Sequence, residues 1–270
     1  MEKFYIIATG IFMALIFTGC SASPQINDSS REFSYISLPS KEEIEDFISA
    51  NWQNYGYKQK PNKYIALSFD DGPCPPSASG GTEALLATLG TLKVRATFFV
   101  IGSNVRNNKK AAQEIFKAGH ELANHSDSYI SLGSSSIDVI TSSLNAATSA
   151  ITEITGYNPR LFRAPNLNHG ENLSQVCKNL NMALIDGIAH NDWDGTGHTS
   201  ASIKNSVLAY PNDGGIILLH ENNTSKGNTM AALPDIIAGL REKGFWIMTV
   251  SELAVVKGKT PAAGMRYSSF

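Results

Sequence analysis

From Pro61 onward, short apolar runs alternate with amphipathic stretches. This is the pattern of parallel strands joined by crossover helices, and it restricts the chain to an α/β barrel or a doubly wound sheet. Strands are expected at Tyr64–Phe69, Ala96–Ile101, Glu121–Asn124, Leu161–Arg163, Ala183–Gly187, Gly215–Leu219 and Phe245–Val250. Between them, Ile137, Ile140, Leu144, Ala147, Ile151 and Ile154 step by three and four residues, which predicts a helix over Ser136–Thr155. Leu233, Ile236, Ile237 and Leu240 predict another, ended by Gly244 in the left-handed conformation that a helix C-terminus favours. With 42% apolar and 17% charged residues over 270 positions, the chain can bury a sizeable core, and global disorder is excluded.

Chemistry collects at the strand exits. Asp70 and Asp71 follow the first strand, His125 the third, Arg163 the fourth, Asp192 the fifth and His220 the sixth. In a parallel α/β fold these ends lie on one face, so residues distant in sequence converge. Taken singly, Asp70-Asp71-Gly72-Pro73 can be an ordinary turn, His220 a core histidine and Arg163 a surface charge. Their joint placement argues for a catalytic site.

The N-terminus bears on compartment. Lys3, the apolar run Phe4–Phe17 and Thr18-Gly19-Cys20 form a secretion signal, and small residues directly before Cys20 resemble a bacterial lipoprotein signal in which that cysteine is lipidated. A cleaved signal with an incidental cysteine remains the alternative. Residues 1–20 are thus read as a signal, 21–60 as a tether and accessory helix opened by a Ser40/Glu43 capping box, 61–258 as the main domain and 259–270 as a tail. The formal net charge of −2 excludes a nucleic-acid binder acting through bulk positive charge. An exported monomer, membrane-bound only through Cys20, is expected.

The same residues resemble the metal-dependent polysaccharide deacetylases, carbohydrate esterase family four, which carry the NodB homology domain. Ser68-Phe69-Asp70-Asp71-Gly72-Pro73 looks like the family's first motif and Asn124-His125-Ser126 like the start of the second. Arg163-Ala164-Pro165-Asn166, Asn191-Asp192-Trp193 and Leu218-Leu219-His220 look like the third, fourth and fifth. The resemblance implies a distorted (β/α) barrel of seven or eight units acting on acetylated polysaccharide. One departure stands out: where the second motif normally places a second histidine four residues on, this chain has Tyr129. A phenol with a pKa near ~10 is a poor neutral ligand, so one divalent ion (cobalt, zinc or nickel) is expected on Asp71 and His125 alone. That tyrosine, Asn166 and the tail Met265-Arg266-Tyr267 resemble acetylxylan esterases of plant-wall-degrading clostridia.

Acetyl hydrolysis assigns the remaining roles. Asp70 is the expected base, Arg163 its orienting partner, His220 the acid and Asp192 the group that fixes its tautomer. By resemblance the Asn166 N–H, next to Pro165, completes the oxyanion site, while Trp193 and Tyr129 offer flat faces to a sugar. His120 is expected to pack at a turn, and His169, His190 and His198 to lie in loops. Asp127 is an alternative occupant of the metal site, and a Cys74–Cys177 bridge stays open. An N-acetyl substrate in peptidoglycan or chitooligosaccharide, or a non-catalytic polysaccharide binder, are the other readings.

Overall fold

The computed structural model describes residues 38–76, 80–190, 198–221 and 227–270. The expected signal, most of the tether, Asp192 and Trp193 lie outside the described residues. Among those described, no helix is long and apolar enough to cross a membrane.

The described residues open with α1 (Lys41–Asn51), whose start is set by the expected capping box: Ser40 Oγ accepts from Glu43 N and Glu43 Oε2 accepts from Ser40 N. Then follow β1 (Lys63–Asp70), α2 (Thr82–Leu92), β2 (Thr97–Val100), α3 (Gly102–Asn107), α4 (Lys109–Lys117), β3 (Glu121–Asn124), α5 (Ile137–Thr155) and β4 (Leu161–Phe162). The second half adds α6 (Glu171–Asn179), β5 (Ala183–Ile185), β6 (Ile188–Ala189), α7 (Ser200–Ala209), β7 (Ile216–His220), α8 (Asn228–Glu242), β8 (Phe245–Met248), α9 (Val250–Val256) and β9 (Arg266–Tyr267). The strands form one curled parallel sheet in the order β6-β7-β1-β2-β3-β4-β5-β9, with β8 paired to β1 off this path. This is the expected distorted (β/α) barrel. Ser68 pairs with residues of both β2 and β7, and Ala66 with residues of both β7 and β8, so β2 and β8 share one edge of β1. The strand path is open, and the tail spans the gap: β9 pairs with β5, and Ser269 bridges to Gly215 at the foot of β7.

Side-chain alternation divides the interior. Ile65, Leu67 and Phe69 of β1 join α2 and α8 in the outer core, whereas Ala66 faces inward with Phe99, Ala123, Ile185, Ile216 and Trp246. Ile44, Ile48 and Tyr57 join this inner cluster, so α1 packs into the core as the expected accessory helix. Tyr57 stacks on Trp246 with ring centroids 5.1 Å apart. Burying a side chain such as Ile48, 2% exposed, contributes about 1.5–3 kcal/mol.

Four strands are shorter than expected: β2 and β4 lose one or two terminal residues, and β5 and β8 lose two each. β5 stops at Ile185 because the Ile185 and Asp186 carbonyls accept from Arg163 Nε and Nη2 at 3.0 and 3.1 Å. β8 stops at Met248 because Thr249 and Glu252 form a second capping box that opens α9. Ser136 caps α5 and Gly244, at φ +80°, follows the C-cap of α8, both as expected.

Candidate active site

Asp70, the last residue of β1, is in register with His220, the last residue of β7. Laterally paired residues of a parallel sheet point to the same face, so this acid and this imidazole share the upper end of the barrel. Below Asp70 lies Arg163, fully buried, with its guanidinium carbon 3.9 Å from the centroid of the Phe99 ring. Its Nη1 donates to Asp70 Oδ1 at 2.6 Å and to Ser68 Oγ at 2.9 Å; Ser68 in turn donates to Ile217 O at 2.7 Å. A buried charge pair survives when its remaining hydrogen-bonding groups are satisfied, and Arg163 is held by four acceptors. The bridge fixes Asp70 Oδ1 and leaves Oδ2 facing His125, 3.8 Å from Nε2.

The second motif is built by its neighbours. Asn124 sends its Nδ2 outward to Leu144 O at 2.9 Å and uses its Oδ1 to accept from Ser126 N at 2.8 Å, which turns the chain at Ser126, φ +65°. Gly102 N and Ser103 N donate to the Ser126 and Asp127 carbonyls. Gly102 must lack a side chain, because a Cβ there would lie 2.6 Å from Ala147 Cα on α5. This turn presents His125, 2% exposed, with Nδ1 2.8 Å from the Arg163 carbonyl. A carbonyl only accepts, so Nδ1 carries a proton, and in the neutral imidazole Nε2 presents a lone pair. That lone pair faces Asp71 Oδ1 at 3.4 Å. Asp71 adopts φ +73°, which aspartate tolerates better than most residues, and its Oδ1 is buried without a hydrogen-bond partner among the described residues.

An orphaned buried carboxylate oxygen opposite an uncommitted imidazole nitrogen fits a divalent cation. Among the described residues no three His, Cys, Asp or Glu side chains gather as a metal cage. Asp127 is turned away, its carboxylate paired with Arg106 at 2.7 Å, so it does not occupy the alternative place expected for it. Tyr129, 55% exposed, donates its hydroxyl to Asn166 Oδ1 at 2.7 Å. Burial first, then the Asp71 and Asp70 charges, raise its pKa above the usual phenol value, so Tyr129 is a neutral phenol here. Asn166 itself is left-handed, φ +58°, in the short 3₁₀ turn Pro165–Leu167 that follows β4, with Pro165 buried.

The chain belongs to the polysaccharide deacetylase family. Residues 57–185 match the family of that description. A family 4 acetyl xylan esterase from Clostridium thermocellum, solved in complex with a cobalt ion, superposes with a TM-score of 0.70 at 31% identity, over 77% of this chain and 98% of that one. A peptidoglycan-N-acetylglucosamine deacetylase of Bacillus cereus is 31% identical over 71% of this chain and 88% of its own length. A bifunctional xylanase/deacetylase of Pseudobutyrivibrio xylanivorans is 39% identical over 77% of this chain, and this chain spans only 33% of it. Members of this carbohydrate esterase family are hydrolases.

The structure brings together Asp70, Asp71, His125, Arg163, Asn166, Tyr129 and, by register, His220. His120 is a packing residue, accepting from Ala96 N at 3.1 Å and edge-on to Phe98. Burial drives its pKa down to about 3. His190 Nδ1 lies 3.0 Å from Ser206 Oγ, and His169 Nε2 lies 2.9 Å from Asp186 Oδ1. Cys74 and Cys177 are both free and buried, which closes the question of a bridge between them. Sequence reasoning missed Glu221, next to His220. Burial, and secondarily the Asp71 charge, push its pKa up to about 8 against the opposing Cys74 N–H bond. Its position immediately after a strand-exit histidine was the available signal.

Proposed function

We propose that this protein removes O-acetyl groups from acetylated xylan with the help of one divalent cation held by Asp71 and His125. The observation that carries the reading is the pairing of an unpartnered Asp71 oxygen with an uncommitted His125 nitrogen, beside an Asp70 anchored by Arg163. When bound, the cation would polarise the acetyl carbonyl and make a water more acidic. Asp70 takes the proton of the water that attacks the carbonyl carbon, and Arg163 keeps Asp70 oriented with one oxygen free. The Asn166 N–H, in a turn pinned by Tyr129, faces the developing oxyanion. As the carbon–oxygen bond breaks, His220 delivers a proton to the departing sugar oxygen, and acetate is released. Trp193 and Asp192 are assigned to sugar stacking and to His220 respectively.

Tyr129 in place of a third imidazole favours the ester. An alcohol leaves more readily than an amine, so a weakly held cation suffices for an O-acetyl group. The Bacillus cereus relative supports the competing reading, an N-deacetylase acting on peptidoglycan. The lipoprotein-like N-terminus supports action outside the cell, on a lipid anchor at Cys20. Acetate release from acetylated xylan, chitooligosaccharide and peptidoglycan, measured side by side with and without added cobalt, zinc or nickel, tests the reading. Metal-restored release from xylan well above the other two is expected; release from the N-acetyl substrates alone would overturn it.

A further inference from the structure

Asp71 stands one residue past the end of β1 and opens the loop that leads to α2, so something must hold that loop. On one side the holding groups are evident. Ile101 N donates to Gly72 O at 2.9 Å, Asn104 Nδ2 to Asp71 O at 2.8 Å and Asn108 Nδ2 to Pro73 O at 3.3 Å, all from the start of α3 and α4. On the other side the loop meets Glu221. Its backbone N continues the β1–β7 ladder by donating to Asp70 O at 3.0 Å, and its side chain turns back over the loop. Glu221 Oε1 accepts from Cys74 N at 3.3 Å and from the Thr82 hydroxyl. Thr82 Oγ1 also accepts from Cys74 N at 2.8 Å, and Thr82 N donates to Cys74 O at 3.3 Å, so loop, helix start and glutamate are cross-linked. The fit over Gly72 is close: a Cβ on that residue would stand 1.7 Å from Glu221 Oε2.

We propose that Glu221 is a positioning residue for the cation site, clamping the Gly72–Cys74 turn from the β7 side and so setting where the Asp71 carboxylate points. The inference rests on the reading of Asp71 and His125 as cation ligands. It assigns Glu221 no contact with the ion. Groups that orient ligands from behind typically contribute about ten- to a hundredfold in metal affinity. The acceptor oxygen, rather than the charge, does the clamping, so Gln at 221 can replace Glu.

The test is calorimetric titration of cobalt or zinc into the full chain and its variants, which reads the ion directly and needs no substrate. Glu221→Ala should weaken the dissociation constant by about tenfold or more, and Glu221→Asp, too short to reach Thr82 and Cys74 N together, by a similar factor. Glu221→Gln should stay near the unsubstituted protein. If Glu221→Ala fails to fold, the Asp variant decides: an unchanged affinity overturns the inference. A Gln variant as weak as Ala overturns it too, since charge and not the clamp would then be responsible. Absence of binding by the unsubstituted protein would instead overturn the cation reading itself, a result distinguishable from either of these.

Discussion

The two ends of this barrel bury carboxylates in opposite ways. At the lower end Glu121 and Glu252 are fully partnered. Glu121 accepts from Thr97 Oγ1 at 2.7 Å, from Ser251 N at 3.2 Å and from the Ser251 hydroxyl. Glu252 accepts from Thr249 N and Oγ1, each at 3.1 Å, and pairs with Arg95. At the upper end Asp71 Oδ1 and Glu221 Oε2 are buried without a hydrogen-bond partner among the described residues. Leaving a buried acceptor unpaired costs about 1–3 kcal/mol, more when it is charged. The lower cluster is therefore complete as structure, whereas Asp71 Oδ1 at the upper end is left open to a bound group. Burial of an acid alone does not mark a site; at Asp71 the mark is an unpartnered oxygen facing the His125 ring nitrogen.

The harshest way to test this contrast is Asp70→Asn. Acetate release should fall by about 10²–10⁴-fold through loss of the base. The same change leaves the buried Arg163 without its counter-charge, so thermal unfolding should shift down as well, by an amount on the order of 3–5 kcal/mol at most. Near-normal turnover in the Asn variant would remove Asp70 from the chemistry and make the Arg163 bridge a structural feature like that of Glu252.

His220→Ala sharpens the upper end further. An aryl acetate releases a phenolate that needs no proton, so turnover on it should fall about tenfold less than on a sugar acetate. Equal losses on both would take His220 out of the acid role.

The gentlest test lies at the lower end. Glu121→Gln keeps the shape and should change unfolding free energy by only about 1 kcal/mol while leaving metal affinity untouched. Burial raises the Glu121 pKa, against the Ser251 and Thr97 bonds. A raised carboxylate favours folding in its protonated form: that contribution is full below the ordinary carboxylate range and is lost as pH rises through the raised value. Chemical denaturation across mildly acidic pH should show this slope in the unsubstituted protein and a flatter one in the Gln variant. A loss of metal binding in Glu121→Gln would break the division between the two ends.

Much of the upper end was legible because a parallel sheet turns strand order into proximity: Asp70, His125, Arg163 and His220 could be named from their places after apolar runs. Arg163 as the orienting partner of Asp70 was expected from the needs of a general base, and the structure pairs the two at 2.6 Å. Glu221 was not legible in the same way. Its partners Cys74 and Thr82 stand 147 and 139 residues away, in a loop and a helix start whose pairing no periodicity encodes. The short strands β6 and β9 were missed because no apolar run of their own marks them in the sequence. The closure of the sheet by the tail depends on register, which composition does not record. Tyr129 was read as a departure from the second motif, while its hydrogen bond to Asn166 crosses 37 residues between two turns.

The central claim is that Asp71 and His125 hold a cation through the bonding capacity left open at the upper end. Titration of cobalt into the metal-free protein, into Asp71→Ala and into Glu121→Gln measures it most directly. One ion per chain should bind the unsubstituted protein and the Glu121 variant alike, and Asp71→Ala should lose at least about a hundredfold in affinity. Equal affinity in the Asp71 variant would contradict the account.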